Sequence, residues 1–343
     1  MSQLKMNRNP YASVVISEFA LQVASEAGLS KSEIFEASGI DPKIFDDLDA
    51  KIPFSQYQNI FSEVVRLTGD EFFWLKPVAK ENLSKNNLNW YYIFNSKNVD
   101  VLLSRTTDIY RLLTEAGTPV HMFHKDKMII RHVESSPYIK HTNYQVDWGF
   151  SQWWGSLKLF AGPDLKLHSI RIRDTSESRI EAYEKFFQAP TSGGQFFNEL
   201  IFDKKMAALK KKYGEADPNL DRIIEKVLQP ALVENNNFTK LEESMYIAFQ
   251  KLLIQGPPTL VKLAAKLGMS SRTLQRRLAD EGLSFTDLLK KHRLNLAASY
   301  LRHPGMTVTE VAMMVGYSNP GSFSTAFQKW HGVSPSEYRL KKS

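Results

Sequence analysis

Apolar residues recur at helical spacing over much of the first 115 residues. The first such stretch carries Val14, Phe19 and Leu21 and stops at the turn residue Gly28. Spacings of three and four residues place side chains on one face of a helix, so these stretches predict amphipathic helices. The predicted helices of this part are a helix from Val14 to Val23 and helices at 32–37, 54–67 and 99–113.

The period changes after residue 114. A turn is predicted at 115–119, followed by a hairpin of strands 120–123 and 128–133 around the charged residues 125–127. Strands at 167–172 and 196–202 are interleaved with helices in an order that is not a regular βαβ array, which predicts an α+β domain. The predicted helices among these strands are 148–160, 180–187 and 220–233.

A polar, turn-prone stretch at 234–238 separates this domain from a purely helical remainder. The predicted domains are therefore 1–235 and 236–343, the second being an all-α domain with two helix-turn-helix units joined by a linker helix. The predicted helices of the second domain are 241–254, 259–267, 271–281, 285–301, 308–315 and 321–330, with a last turn at 334–339.

Composition narrows the classes of protein that fit this pattern. The chain of 343 residues has no cysteine, which excludes disulfides, thiolate nucleophiles and cysteine-based metal or redox sites. No apolar run reaches the roughly 20 residues of a membrane span, and no secretion signal opens the chain, so we expect a cytoplasmic protein. From Pro258 onward 13 Lys and Arg face 5 Asp and Glu. This concentration of positive charge indicates an anionic partner.

The first candidate helix-turn-helix unit has the residues that its turn requires. Ala264 is small enough for the contact between two helices, and Gly268 can take a positive φ in the turn. Ser270 then caps the next helix, which buries Leu274 and Leu278. Alone, the run at 272–277 is typical of a solvated helix face, but the turn that precedes it favours a recognition helix.

That helix turns Arg272, Gln275 and Arg276 outward together. Arginine pairs bidentately with guanine and glutamine with adenine in the major groove, so these three are the candidate base-reading residues. The candidate phosphate contacts of this unit are Lys266, Ser270 and Arg277.

The second unit repeats the pattern about 48 residues later, with Ala312, Gly316 and Phe323. Its recognition helix exposes Ser324 and Thr325, which are candidate base-reading residues of short reach. Its candidate phosphate contacts are Asn319, Lys329 and His331; for Lys329 and His331 ordinary surface charge is an equally good interpretation.

Residues 269–301 and 307–339 resemble the DNA-binding domain of the AraC/XylS family of bacterial regulators, over about 100 residues. Residues 326–339 are similar to the family's signature, in which Phe327, Trp330, Gly332 and Pro335 shape the second unit. By this resemblance, Arg272, Gln275 and Arg276 occupy base-reading positions. The second helix lacks an arginine that is often found there.

Residues 12–205 also resemble the arabinose-binding-like N-terminal domain of one branch of this family, on the segments 36–42, 52–53, 67–70 and 186–190. The resemblance implies a domain that binds a small effector, forms dimers or does both, and it makes helix 220–233 a candidate dimerisation helix. It further implies double-stranded promoter DNA with repeated half-sites and RNA polymerase as partners, and activation more often than repression.

The sequence ranks effector contacts only by chemistry. Aromatic surface and hydrogen-bonding groups suited to a small ligand are supplied by Trp90, Tyr92, His121, Arg131 and Arg173. Aromatic residues at helical spacing are more often core than ligand contacts. His121 and His124 lie on opposite faces of a strand, so no metal site is predicted, and no cofactor is expected.

Two other classes stay open at this point. The first is an enzyme domain tethered to DNA, for which the sequence offers no GxSxG, GxxxxGK or HExxH motif. The second is a dimeric regulator that needs no ligand.

Overall fold

The computed structural model describes residues 10–76, 88–114, 117–134, 143–195, 197–234, 258–301 and 307–340, together with Leu241, Met245, Ala248, Phe249 and Leu252. The chain divides into two compact units, Met1–Leu232 and Val233–Ser343. The predicted combination of an α+β unit followed by a helical unit is confirmed.

Helices of the first unit begin and end at residues suited to those positions. The side chains of Ser13 and Asn98 accept hydrogen bonds from the first-turn backbone N–H groups of α1 and α5. Gly39 and Gly69 take left-handed φ values of 68° and 66° after α2 and α3, a conformation that stops a helix and suits glycine. The helices are α1 (Val14–Glu26), α2 (Lys31–Ser38), α3 (Phe54–Thr68), α4 (Leu88–Phe94), α5 (Val99–Leu113), α6 (Asn143–Ala161), α7 (Glu177–Phe187) and α8 (Pro218–Glu234).

Two sheets accompany these helices. A short antiparallel pair, β1 with β2, precedes a five-stranded sheet of order β3-β4-β7-β5-β6, in which only β5 and β6 are parallel. The strands are β1 (Tyr11–Ser13), β2 (Lys51–Pro53), β3 (Gly117–His124), β4 (Lys127–Glu134), β5 (Leu167–Arg171), β6 (Thr191–Ser192) and β7 (Glu199–Asp203).

The structure corrects two local predictions. The predicted turn at 115–119 is wrong for residues 117–119, which open β3 with Pro119 opposite His132. Proline is tolerated there because β3 lies at the edge of the sheet and needs no outward hydrogen bond. The strand predicted at 196–202 begins only at Glu199, and the preceding Asn198 accepts from the backbone N–H of Arg173 through its side chain. Residues 115, 116 and 196 lie outside the described part of the chain.

The first unit has two hydrophobic clusters. One, formed by α1, α2 and α3, includes Phe61, Trp74 and Trp148. The other packs α4, α5 and α6 against the five-stranded sheet and includes Phe150 and Trp153. Helix α6 contributes to both clusters, so it lies along the boundary between them.

The second unit is helical throughout its described residues. Only Leu241, Met245, Ala248, Phe249 and Leu252 are described of the helix predicted at 241–254, and all five are helical, while the rest of that prediction lies outside the described residues. No helix within the described ranges of the chain has the length and apolar character needed to span a bilayer. The remaining helices are α9 (Leu260–Lys266), α10 (Ser271–Asp280), α11 (Phe285–Leu301), α12 (Val308–Met314), α13 (Pro320–His331) and α14 (Pro335–Leu340).

Candidate DNA-binding site and effector domain

The turn between α9 and α10 has the geometry of a helix-turn-helix. Gly268 has a φ of 68°, and the backbone N–H of Met269 donates to the carbonyl oxygen of Ala264 at 3.0 Å. Ala264 is fully buried where the two helices meet. The Ser270 hydroxyl accepts from the backbone N–H of Thr273 at 3.1 Å and so caps α10.

The turn between α12 and α13 repeats these bonds. Gly316 has a φ of 86°, and the N–H of Tyr317 donates to the carbonyl oxygen of Ala312 at 2.9 Å. Asn319, one position later than the equivalent of Ser270, caps α13 by accepting from the N–H groups of Gly321 and Ser322. The two units are therefore two copies of one local structure.

Each unit is held by its own core. Leu263, Leu274 and Leu278 of the first unit pack with Met245 and Phe249. In the second unit the ring of Phe327 lies 5.6 Å from that of Phe323 and 5.3 Å from that of Tyr338. These buried residues determine which faces of α10 and α13 remain free.

The exposed face of α10 is strongly basic. Arg272, Gln275, Arg276 and Arg277 are all exposed, while Leu274 and Leu278 point into the core. Among the residues that the structure describes, no carboxylate forms an ion pair with these three arginines. Their charge is available to an anionic partner.

The candidate phosphate contacts fall into two groups. Lys266 and Lys329 are exposed, and the caps Ser270 and Asn319 are exposed at the starts of α10 and α13. His331 is different, because its ring packs 4.3 Å from that of Phe327 and its Nε2 lies 3.3 Å from the carbonyl oxygen of Leu294. These internal contacts favour a packing role for His331.

The second recognition helix presents less to solvent than the sequence predicts. Ser324 is half-buried rather than exposed, because it lies next to the fully buried Phe323. Thr325 is exposed, but its hydroxyl donates to the carbonyl oxygen of Gly321 at 3.1 Å. At these two positions helix α13 therefore offers only short side chains, one half-buried and the other hydrogen-bonded within the helix.

A buried histidine makes the stability of the whole C-terminal domain, Val233–Ser343, depend on pH. His292 of α11 stacks on Phe249 at 5.3 Å, and burial, aided by the Arg293 cation, lowers its pKa from 6.5 to about 3. Between these values the unfolded chain binds a proton that the folded chain does not, so the folded state loses about 1.4 kcal/mol per pH unit as the pH falls below about 6.5.

We therefore expect that His292→Phe reduces this pH dependence. Hydrogen exchange of peptides from α11, measured on the full chain at pH 7 and pH 5, reports the free energy of opening. In the unmodified protein this free energy is expected to fall by about 2 kcal/mol at pH 5. The control is His168→Gln, which replaces an exposed histidine of the first unit. An equal fall in the His292→Phe variant would contradict the assignment.

Most of the sequence-predicted effector contacts instead form internal contacts that hold the N-terminal domain together. Arg131 is buried against Glu199, with Nε 2.8 Å from Oε1, and its guanidinium lies 3.3 Å from the centre of the Phe197 ring. His121 Nε2 lies 2.9 Å from Asp100 Oδ1. Ion pairs and burial explain these residues without a ligand.

Two further candidates do not line the cavity that is described for the first unit. Tyr92 is buried beneath the guanidinium of Arg105, which lies 4.7 Å from its ring centre. Arg173 is half-buried and donates its backbone N–H to Asn198. Trp90 alone of the five predicted contacts lines a cavity of about 80 Å³ between α1, α4, α5 and α6. Most of the other side chains of this cavity carry no signal in the sequence, because they come from segments far apart in the chain.

No group of three or more His, Cys, Asp or Glu side chains suited to a metal ion occurs among the described residues.

Comparison with known families assigns a family to each of the two domains of the chain. The family described as "Helix-turn-helix domain" matches residues 263–341. The family described as "Arabinose-binding domain of AraC transcription regulator, N-term" matches residues 28–210. The chain therefore belongs to the AraC family of transcription regulators, as the sequence motifs predicted, and its second unit is a DNA-binding domain.

Similar proteins carry names of the same kind. The "Ornithine utilization regulator" of Pseudomonas aeruginosa is 22% identical over 329 residues, which are 95% of each chain. The "HTH-type transcriptional regulator VirS" of Mycobacterium tuberculosis is 29% identical over 183 residues, which are 53% of each chain. Among solved structures, the transcriptional regulator CdpR from Pseudomonas aeruginosa aligns over 94% of this chain and 98% of its own, with 17% identity and a TM-score of 0.42.

Proposed function

We propose that this protein activates transcription from promoters with repeated half-sites, which it binds as a homodimer under the control of a small-molecule effector. The observation that carries this proposal is the exposed face of α10, where Arg272, Gln275 and Arg276 lie side by side and no carboxylate of the described residues pairs with them. The site needs no cofactor and performs no catalysis. Its partners are double-stranded DNA and RNA polymerase, which places the protein in the cytoplasm.

Helix α10 carries the reading of bases. Its first turns enter the major groove, where arginine pairs with O6 and N7 of guanine and glutamine with N6 and N7 of adenine. Lys266 and Arg277, which are both exposed, meet the phosphates and fix the register. At its two candidate base-reading positions helix α13 has only the short side chains of Ser324 and Thr325, so it approaches the backbone and contributes little discrimination between bases.

Arg276→Ala is expected to weaken binding to the specific site by about 1–3 kcal/mol, which is roughly 5- to 150-fold, because one bidentate base contact is lost. Binding to random DNA should change much less. Lys266→Ala is the matched control, since it removes one exposed positive charge that meets phosphate and should weaken binding to both DNAs alike.

Fluorescence anisotropy at one salt concentration measures how much each variant weakens binding to the specific site and to a scrambled duplex. If Arg276→Ala lowers the affinity for both duplexes by the same factor, its role is phosphate contact and the base-reading assignment is wrong.

The proposed homodimer uses an exposed apolar strip on α8. Ile223 and Val227 are 59% and 57% exposed and four residues apart, on a face turned about 100° from that of the buried Ile224 and Leu228. Pairing this strip with its copy would remove apolar surface from water. We expect Ile223→Ser combined with Val227→Ser to raise the dimer dissociation constant at least tenfold in sedimentation equilibrium. The control is Arg222→Ser on the exposed side of α8. An unchanged dissociation constant would mean that the dimer interface lies elsewhere.

Activation is tested with the purified components. Transcription by RNA polymerase from a promoter that carries the protein's specific binding site should rise when the protein is added. A fall in transcript under the same conditions would make the protein a repressor.

A further inference from the structure

The cavity of the first unit lies between its two hydrophobic clusters. Ile16 and Phe19 of α1 and Trp148 of α6 belong to the cluster of the N-terminal helices, whereas Leu103 of α5 and Trp153 of α6 belong to the cluster on the sheet. A molecule in this cavity would contact both clusters. It would therefore change how α1 packs on α5 and α6.

The wall of the cavity is aromatic. Phe19 has its ring centre 6.2 Å from that of Trp90 and 5.2 Å from that of Trp148, and on the other side Tyr110 lies 6.0 Å from Trp153. None of the side chains that line the cavity in the described structure is charged. A charged ligand would lose its hydration without gaining a counter-charge, so the cavity selects against ions.

Several polar groups of the wall are used within the chain. The Thr106 hydroxyl donates to the carbonyl oxygen of Leu102, and Trp153 Nε1 donates to the Tyr110 hydroxyl oxygen at 3.1 Å. Burial raises the pKa of Tyr110 to about 12, so its hydroxyl stays neutral. A sugar needs partners for several hydroxyl groups, whereas most side chains of this wall are apolar.

One acceptor in the wall has no partner. Gln152 is 5% exposed, lines the cavity, and its Oε1 makes no hydrogen bond in the described structure. A buried carbonyl without a donor is destabilising, so this atom is a ready acceptor for a ligand that brings one donor.

Size sets a further limit. The cavity of about 80 Å³ is smaller than the roughly 150 Å³ of an apolar cavity that admits benzene. A single ring therefore enters only when the lining side chains shift, and larger molecules would require larger shifts. The required shift links occupancy to the packing of α1.

We propose that this cavity is the effector site and that it binds an uncharged single-ring aromatic compound whose one hydroxyl or N–H group donates to Gln152 Oε1. This inference rests on the proposed function in one respect, namely that the first domain responds to a small molecule.

The test titrates the full chain by calorimetry with four probes. Phenol has the ring and the donor, toluene has the ring alone, benzoate adds a charge, and L-arabinose supplies several hydroxyl groups. We expect phenol to bind most tightly, toluene about tenfold more weakly, and benzoate and L-arabinose not measurably. Gln152→Leu should weaken phenol binding about tenfold and leave toluene unchanged, whereas Gln22→Leu, outside the cavity, should change neither.

If Gln152→Leu fails to fold, Gln152→Met makes the same comparison. Absence of phenol binding, equal binding of phenol and toluene, or binding of benzoate or L-arabinose as tight as that of phenol overturns the proposal. Specific DNA binding is measured on the same preparations without probe. If the protein binds its DNA site but no phenol, the ligand proposal is wrong and the regulatory function stands. If it binds phenol but no specific DNA, the regulatory function is wrong and the ligand proposal stands.

Discussion

Phe327→Ala is expected to unfold the second helix-turn-helix unit. Phe327 is fully buried, and its ring contacts those of Phe323, His331 and Tyr338. Truncating a buried phenylalanine removes its transfer free energy and leaves a cavity, at a cost of about 3–5 kcal/mol. That cost is a large part of the stability of an ordinary domain. Urea unfolding of the full chain and hydrogen exchange of α13 measure the loss.

Met313→Ala is the control for this variant. Met313 lies in the same unit on α12 but is 61% exposed, so its truncation should change the unfolding free energy by no more than about 0.5 kcal/mol. Since α13 is expected to contact the DNA backbone, Phe327→Ala should also weaken binding to every duplex. Equal stabilities of the two variants would mean that the ring of Phe327 does not hold the second unit together.

Arg179→Met is expected to destabilise the first unit by about 3–5 kcal/mol at pH 7.5. Arg179 donates to the fully buried carboxylate of Asp147, which also accepts from the Tyr183 hydroxyl at 2.8 Å. Burial raises the pKa of Asp147 to about 6, although Arg179 and Tyr183 lower it. Without Arg179 the ionised carboxylate would be left buried with one hydrogen bond from Tyr183.

The sign of the pH effect separates this explanation from a general packing defect. In the variant the pKa of Asp147 rises further, so its carboxyl becomes neutral as the pH falls, and the penalty relative to the unmodified protein should shrink between pH 7.5 and 5. Asp147→Asn combined with Arg179→Met removes both charges and should recover part of the stability. Arg66→Met breaks the exposed pair with Glu63 and should cost no more than about 1 kcal/mol. A penalty independent of pH would contradict the buried-charge explanation.

The structure of the C-terminal domain could be predicted well from the sequence, because the residues that determine its turns and helices lie close together in the chain. Gly268 and Gly316 provide the positive φ that each turn needs, and Ser270 and Asn319 cap the helices that follow. The exposed set on α10 follows from the spacing of Leu274 and Leu278 alone. Such features are fixed by residues within about five positions of each other, so they can be inferred from a single chain.

The effector region is harder to predict because its contacts join distant residues. Arg131 resembled a ligand contact in the sequence, but Glu199, 68 residues later, pairs with it across neighbouring strands. Gln152 carried no signal, since only the fold brings it between Phe19, Trp90 and Tyr110. The pairing of β1 with β2 was missed for the same reason, because strands of three residues have too little pattern to be recognised.

The central claim is that the exposed face of α10 reads a DNA sequence. Its most direct test is selection of genomic fragments by the purified full chain, followed by binding of the enriched site and a scrambled duplex at several salt concentrations. We predict one recurrent motif, an affinity at least about 10³ times that for the scrambled duplex, and a weaker salt dependence of this ratio than of either affinity alone. Equal affinities for the two duplexes, with the same salt dependence, would mean that the basic domain only adheres to DNA, and would contradict sequence-specific regulation.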